Sequence, residues 1–456
     1  MNALVAPFRE NASRALAQAR GLRTFASFAA DQLAFLDALA RTGGDVARFD
    51  MLGKSFVLVR HPEDVEAVLV KHAKQVGRDD YVKILERALG VGLLTSEGEL
   101  WKRQRHLMAQ AFVPKRIASY ADAMVRVGEA SLARWQEGAE LDVHRETSRL
   151  AAEVVSEVLF GTSIEPADIA MVGEALEVLN EFFDNSPESL LPIPKWLPTP
   201  RNLRMNRAVA NIDTLIYRIV GERRAAAPRD DFLGTLLAAQ DDEGVRMSDA
   251  QLRDEAVTLF LAGHETTALA LAYTLHLLAR HPDVEGRLHA ELESVLGGRA
   301  PTAADVKSLA YTECVLKEAM RLHPPAWTMG RAVLEPFEVR GHALQRGDQV
   351  LISQWVLHRD ARWFPEPERF DPERFSPERA KAIPRYAYLP FGAGPRVCIG
   401  SHFAMMEATL LLALIVQRFR VEPLPGPPLA YAPSVTLRPK GQGLRVRLRG
   451  RGLTRC

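Results

Sequence analysis

The chain has 456 residues, with 58 Lys plus Arg against 57 Asp plus Glu and a formal net charge of +1. So even a balance excludes electrostatic capture of nucleic acid as its main task, while the length allows a large buried core. Three cysteines, Cys314, Cys398 and Cys456, are an odd and small number for a disulfide framework, which points to a reducing, cytoplasmic compartment.

Met1–Arg23 mixes arginines with apolar residues and contains no apolar h-region. A spanning helix needs ~20 apolar residues. Ala256–Gly263 is cut by His264 and Glu265, and Ala408–Val416 is too short, so no membrane anchor is expected. No linker composition divides the chain, and residues 1–456 read as one domain.

Gly44–Arg60 carries short apolar runs broken at Gly53 and reads as a strand hairpin. Pro62-Glu-Asp opens a helix through Leu69. Gly77–Leu94, with Gly90 and Gly92, is irregular and is expected to be a loop. Thr95-Ser-Glu-Gly-Glu-Leu then starts a helix that sets Trp101 and Arg105 on one face. An indole N–H beside a guanidinium is a good carboxylate clamp, although the same spacing is common in surface packing.

Ala118–Phe160 and Pro166–Phe183 show apolar residues every three or four positions and read as helices. Pro192, Pro194, Pro198 and Pro200 then forbid a helix. Phe182, Phe183, Leu190, Leu191 and Ile193 read equally as core or as the lining of an apolar entrance.

Asp249–Arg280 is the longest helical pattern, with Ala262-Gly-His-Glu-Thr-Thr at its middle. Gly263 weakens the helix by roughly 1 kcal/mol relative to Ala. Thr266 and Thr267 can bond back to a preceding carbonyl. Glu265 beside a hydroxyl is unusual in so apolar a helix; the bland reading is a polar helix contact. Ser308–Leu322 is amphipathic and carries Glu318 and Arg321, a spacing that is common on helix surfaces. Strand patterns follow at Phe337–Arg340 and Gln349–Ser353. Leu444–Arg449 alternates with period two and reads as an edge strand, with Val435 and Thr436 on the turn side of its hairpin.

The most specific stretch is Phe391–Gly400, Phe-Gly-Ala-Gly-Pro-Arg-Val-Cys-Ile-Gly, followed by a helical pattern from Ser401. Glycines let the backbone fold around Cys398 at a helix start, where amide N–H groups and the positive helix end favour a thiolate. A thiolate held by amide hydrogen bonds suits an iron–sulfur bond to haem, and Arg396 suits a haem propionate. A lone cysteine is more often a small buried hydrophobe. A zinc half-site of Cys398 and His402 lacks a second ligand pair.

The pattern F-x-x-G-x-R-x-C-x-G resembles the haem-binding loop of the cytochrome P-450 family, the haem-thiolate monooxygenases. The resemblance covers roughly Val46 to Leu448, with W-x-x-x-R, A-G-x-E-T, E-x-x-R and the cysteine loop in the family's order. It implies a mainly α fold with small β-sheets and haem b between two long helices. It implies Cys398 as iron ligand, with Phe391 and Gly400 shaping its loop. Trp101, Arg105, Arg331 and Arg396 would contact propionates. Thr266 would hold reduced oxygen by a hydrogen bond where the helix opens, and Glu265 would feed protons. Glu318 and Arg321 would form a structural core with an arginine of Phe370-Asp-Pro-Glu-Arg-Phe, chosen as Arg374 over Arg369. Gly77–Leu94 would be a mobile loop over the substrate. Ala262, Trp327, Thr328, Met329, Val435 and Thr436 join Phe182 and Phe183 as pocket candidates.

The implied function is hydroxylation or epoxidation of an apolar small molecule such as a terpenoid, fatty acid, steroid or polyketide. Dioxygen is the co-substrate. Neither a reductase nor a G-x-G-x-x-G motif accompanies the haem loop. Electrons from NAD(P)H are therefore expected through a separate ferredoxin and ferredoxin reductase, docking at Lys102 and Arg103 on a monomer. A peroxide-driven peroxygenase is the alternative, disfavoured by the Glu265-Thr266 pair. A haem gas sensor is the other.

Overall fold

The computed structural model describes residues 21–161, 196–225, 231–241, 243–441 and 444–451, with isolated positions between 162 and 195. Of the helix expected over Pro166–Phe183 only isolated positions are described, and these are helical, whereas Phe182, Phe183, Leu190, Leu191 and Ile193 lie outside the described residues.

Asp31 accepts from the Ala34 N–H and starts α1, Gln32–Thr42. The expected hairpin follows as β1, Val46–Met51, antiparallel to β2, Lys54–Val59. Val57, Leu58 and Val59 are buried. Pro62–Glu66 is helical, and Ala67–Lys71 continues as a wider π turn. After β3, Val76–Gly77, the expected loop is instead α2, Asp80–Leu89. The Asp79 carboxylate caps it by accepting from the Val82 N–H, and Gly90 ends it. Leu85, Ala88 and Leu89 form its buried face, a spacing hidden in the sequence by the glycines that follow.

α3 is Gly98–Ala109 and α4 is Pro114–Leu132. The single run read over Ala118–Phe160 is two helices. Gly138, with φ +80°, turns the chain into β4, Glu140–Asp142, before Asp142 caps α5, Val143–Phe160. α6 is Pro200–Ala225. Ser248 caps α7, Asp249–Leu278, a helix of 30 residues. α8 is Pro282–Leu296 and α9 is Ala310–Leu322. β5, Met329–Val333, and the hairpin of β6, Phe337–Val339, and β7, His342–Leu344, precede β8, Gln349–Ile352. The cysteine loop leads into α10, Ser401–Arg418, and β9, Phe419–Pro423. The chain then forms β10, Tyr431–Pro433, β11, Leu437–Pro439, and β12, Arg445–Gly450.

The main sheet has the order β1-β2-β8-β5-β3, with β2 and β8 parallel. The strand expected at an edge, β12, is central: β4 pairs on one side and β9 on the other. Its basic face is spent on Glu140, which takes Arg445 and Arg447 at 2.7 Å each. Val435 and Thr436 belong to the separate β10–β11 hairpin, not to that of β12.

α7 runs through the principal core, which gathers buried side chains from Leu85 to Leu448. It packs most extensively on α5, where the Thr147 hydroxyl donates to the Ala268 carbonyl at 2.9 Å. Among the described residues no helix is long and apolar enough to cross a membrane.

Between α9 and the 358–374 segment lies a charged knot. Glu318 and Arg321 are both 0% exposed. Arg321 donates to the two carboxylate oxygens at 2.7 and 2.8 Å and to the carbonyls of His358 and Pro367. Arg374 Nε reaches Glu318 Oε1 at 3.3 Å, whereas the Arg369 side chain pairs with Glu366 at the surface. Breaking such a buried pair costs about 3–5 kcal/mol. The knot therefore anchors the 358–374 segment that precedes the cysteine loop.

Candidate active site

The cysteine loop is a backbone construction. The Cys398 N–H donates to the Phe391 carbonyl at 2.9 Å, closing the loop. Gly392 and Gly394 both have φ +71°. A Cβ on Gly394 would stand 2.0 Å from the Leu69 carbonyl oxygen, so only glycine fits. Cys398 presents accessible surface although protein packs around it on most sides. A thiol that is both accessible and hemmed in faces an internal space rather than bulk water. Burial pushes this thiol up, while the Gly400 amide and the Arg105 charge pull it down.

Trp101 and Arg105 of α3 reach this loop separately. Arg105 Nη1 donates to the Val397 carbonyl at 2.9 Å, beside the thiol. Arg396 lies over the Trp101 ring at 4.4 Å and donates to the Ser96 carbonyl at 2.9 Å. Arg396 and Arg331 share their surroundings with an arginine that sequence reasoning missed, Arg78. Burial first, then the Arg396 and Arg331 charges, hold Arg78 down to about 9. Burial and Arg331 hold Arg396 down to about 10. Arg78 Nε is buried with no protein partner. Asp79 and Glu97 act on the same arginines, so three guanidiniums stand against two carboxylates and leave room for a further anion. No motif marks Arg78; its only signal is its place next to Gly77 and the capping Asp79.

The second accessible place is on α7. Ala262 is exposed and Gly263, Glu265 and Thr266 are half-buried, in a helix otherwise largely buried. The helix continues unbroken through Gly263, contrary to the opening implied by the resemblance. The Thr266 hydroxyl donates to the Ala262 carbonyl at 2.6 Å, which satisfies that acceptor without a break. Glu265 Oε1 stands 3.1 Å from Arg438 Nε of β11. His264 is buried against α5 and His144 lies near it. Burial first, then Arg438, holds His144 to about 4, and His264 is held to about 4 chiefly by burial. Thr267 donates to Glu407 Oε2 of α10 at 3.3 Å, and burial pushes Glu407 up to about 8. Arg438, His144 and Glu407 escape sequence reading because each meets the motif only across the fold.

Other candidates fall elsewhere. Trp327 is core: it is 4% exposed and its indole donates to the Ser434 carbonyl at 3.0 Å. Met329 sits near Gly392 and Leu69, on the cysteine-loop side. Thr328 is half-buried at 3.5 Å from the Ile352 carbonyl. Val435 is half-buried, and the Thr436 hydroxyl is buried without a partner. Lys102 and Arg103 are not free charges. Lys102 pairs with Glu99 and Arg103 with Asp241, each at 2.6 Å, so Arg103 ties α3 to the segment before α7.

A haem fits this residue set. The accessible Cys398 thiol offers a soft iron ligand, and the cluster of Arg78, Arg331 and Arg396 offers charge for propionates. The Thr267–Glu407 bond sets the accessible turn of α7 against the helix that begins beside Cys398.

The family model described as Cytochrome P450 matches residues 25–446. Cyclooctatin synthase of Streptomyces melanosporofaciens is 42% identical over 400 residues, covering 86% of each chain. The cyclooctat-9-en-7-ol 5-monooxygenase of the same organism is 37% identical, covering 84% of each. Pentalenene oxygenase of Streptomyces avermitilis is 34% identical, covering 85% of this chain and 86% of the relative. Among solved structures, the retinoic-acid-bound cyanobacterial CYP120A1 is similar with a TM-score of 0.82 and 29% identity, over 91% of this chain and 94% of that one.

Proposed function

Because this chain belongs to the cytochrome P450 family of haem-iron monooxygenases, we propose that it oxidises a terpenoid with dioxygen, on haem b held by the Cys398 thiolate. The observation that carries this is the accessible thiol at an amide-lined helix start, beside three arginines that face only two carboxylates, Asp79 and Glu97. The names of three relatives, built on cyclooctatin, cyclooctat-9-en-7-ol and pentalenene, support a terpenoid over a fatty acid, steroid or polyketide.

When bound, the haem supplies the redox chemistry that splits dioxygen. The chain holds it and manages protons. The Gly400 amide and Arg105 set the charge on Cys398 Sγ. Arg78, Arg331 and Arg396 would hold the propionates, with Trp101 beneath Arg396. Thr266 Oγ1, which donates to the Ala262 carbonyl, would be the hydroxyl offered to oxygen at this turn. Glu265 delivers protons and is restrained by Arg438 until it does so. Ala262 is the exposed residue of that turn and lines the substrate space. NAD(P)H electrons arrive through a ferredoxin and its reductase, on a protein that works as a monomer. With Arg103 committed to Asp241, that docking rests on other charges.

The test is the ferrous carbon monoxide complex. Cys398→His is expected to keep haem and lose the red-shifted Soret band; survival of that band overturns the ligand assignment. Titration of the ferric protein with a terpenoid panel should shift it from low to high spin.

A further inference from the structure

Two helical turns beyond Thr266, roughly 10 Å along α7, stands Tyr273. It is fully buried, and its hydroxyl donates to the Leu437 carbonyl at 2.9 Å. Its ring stacks on the His323 imidazole, with centroids 4.6 Å apart and planes at 19°. His323, the residue that ends α9, places Nδ1 3.0 Å from the Tyr431 hydroxyl. Tyr431 in turn lies 6.3 Å from Tyr273 and edge-on to Trp355 at 5.1 Å. The rings form a ladder from the C-terminal part of α7 to the half-buried Tyr431 of β10.

Packing explains rings in contact, but it does not require a base at a phenol. A backbone carbonyl satisfies a buried hydroxyl equally well, as it does for Tyr273. A base matters for a different reason. A phenol yields an electron readily only when its proton leaves at the same time, to an acceptor within hydrogen-bond reach. His323 is such an acceptor. Burial first, then the Arg359, His276 and Arg321 charges, holds it far below the usual histidine range, so it is neutral at rest, and the same causes drive the proton back once the electron returns. With its proton on Nε2, Nδ1 takes the hydrogen bond. Burial keeps Tyr431 a phenol, pushed up to about 12.

The neighbours direct the charge to this one ring. Tyr273 faces a carbonyl, which cannot keep a proton. Trp355 lies beneath the Arg359 guanidinium at 3.4 Å, and a cation over an indole face opposes removal of an electron from it. Tyr431 is the rung where an oxidising equivalent comes to rest, and its partial exposure lets a reductant reach it.

We propose that Tyr273, His323 and Tyr431 form an escape route for oxidising equivalents, with Tyr431 and His323 as a proton-coupled redox pair. One electron leaves Tyr431 through Tyr273 and reduces an over-oxidised haem by one unit. The Tyr431 O–H bond breaks, its proton forms an N–H bond at His323 Nδ1, and a neutral tyrosyl radical remains. A one-electron reductant, a small thiol or the reduced redox partner, then returns the electron and the proton moves back. The proposal rests on the haem monooxygenase reading, since only such a haem becomes over-oxidised when no substrate is in reach.

The experiment treats the substrate-free ferric holoenzyme with a peracid, freezes it rapidly and records the electron paramagnetic resonance. Wild type is expected to give a tyrosyl signal. Tyr431→Phe, which keeps the ring and its edge-on contact with Trp355, should lose it. His323→Leu should lose it also, while Tyr217→Phe, at an exposed position on α6, should leave it intact. Tyr431→Phe should also inactivate after fewer substrate-free turnovers. The carbon monoxide spectrum is recorded first on each protein. If wild type lacks the thiolate band, the haem reading and this proposal fall together. If the band is present and the radical yield is the same in Tyr431→Phe as in wild type, the proposal falls alone.

Discussion

The cysteine loop and the accessible turn of α7 are built by different means. Around Cys398 the determining groups are backbone: two glycines at positive φ, the Phe391 carbonyl and the Gly400 amide. Around Thr266 they are side chains from other elements: Arg438 from β11, His144 from α5 and Glu407 from α10. Backbone geometry tolerates almost no substitution. Side-chain geometry tolerates change at a graded cost, and it leaves room for titration. The cysteine side is therefore a rigid mount and the α7 side an adjustable one.

The sharpest way to break this contrast is to add one methyl to each region. In Gly394→Ala the new Cβ meets the Leu69 carbonyl at 2.0 Å and the residue must hold φ +71°. Strain and overpacking together cost roughly 2–5 kcal/mol, and haem retention should be lost. In Gly263→Ala the nearest atom is a Val155 methyl at 3.3 Å, a flexible neighbour, and helix propensity improves by roughly 1 kcal/mol. That variant should keep its haem with near-normal stability. Urea midpoints and haem content measured side by side decide it, and equal damage in both would end the distinction.

Next in size is the arginine cluster. Arg78→Leu removes a guanidinium that lacks a partner at Nε and repels Arg331 and Arg396. Apoprotein stability should change little, because relief of that repulsion is offset by loss of the attraction to Asp79 and Glu97. Haem affinity should fall by roughly ten- to a hundred-fold, the worth of a lost charged hydrogen bond. Haem transfer to an acceptor protein measures the loss. A variant that releases haem no faster than wild type would remove Arg78 from the site.

The two adjacent threonines sharpen the comparison within α7. Thr266 donates back to its own helix and Thr267 donates to Glu407 across to α10. Thr266→Ala should leave haem binding and electron uptake intact and divert most reducing equivalents to hydrogen peroxide. Thr267→Ala should stay coupled but lose about 1–2 kcal/mol of stability, because the buried Glu407 loses its donor. Product formed per reducing equivalent, with a urea midpoint for each variant, separates the roles. Uncoupling in Thr267→Ala alone would reverse them.

What was legible in the sequence follows the same division. The cysteine loop could be read because its parts are contiguous and glycine identities are forced by the backbone. The Glu318–Arg321 pair could be read within one helix turn, but its choice of Arg374 needed the fold, since Pro-Glu-Arg-Phe occurs twice. Arg78, Arg438, His144 and Glu407 carry no local signature, because isolated charged residues look alike until packing buries some of them. The α2 helix was hidden by its flanking glycines. The central place of β12 was hidden because alternation reports a strand's two faces and not whether its edges are paired.

The smallest expected effect tests whether the α7 side is adjustable by charge. His144 and His264 are held to about 4, the larger part of each shift being burial, with Arg438 contributing to both. A histidine whose folded pKa lies below the unfolded value near 6.5 favours the folded state while neutral. Its contribution is complete above about 6.5 and is lost as pH falls toward about 4, where the folded form also takes the proton. Arg438→Gln removes the lesser of the two causes, so both values should rise part of the way back. The acid loss of stability between about 4.5 and 6.5 should then shrink by roughly 1 kcal/mol or less. Glu255 and Glu407 work in the opposite sense: burial holds each up to about 8, so their contribution fades as pH rises from the ordinary carboxylate range through 8. Arg438 is not among the causes of either shift, so the alkaline limb should keep the wild-type slope. Loss of the Glu265 ion pair should lower the variant's curve by an offset that stays flat above pH 7, and the pH-dependent difference should be confined to the acid side. A difference that grows above pH 7 instead would mean that Arg438 acts on α7 through packing and not through its charge on the histidines.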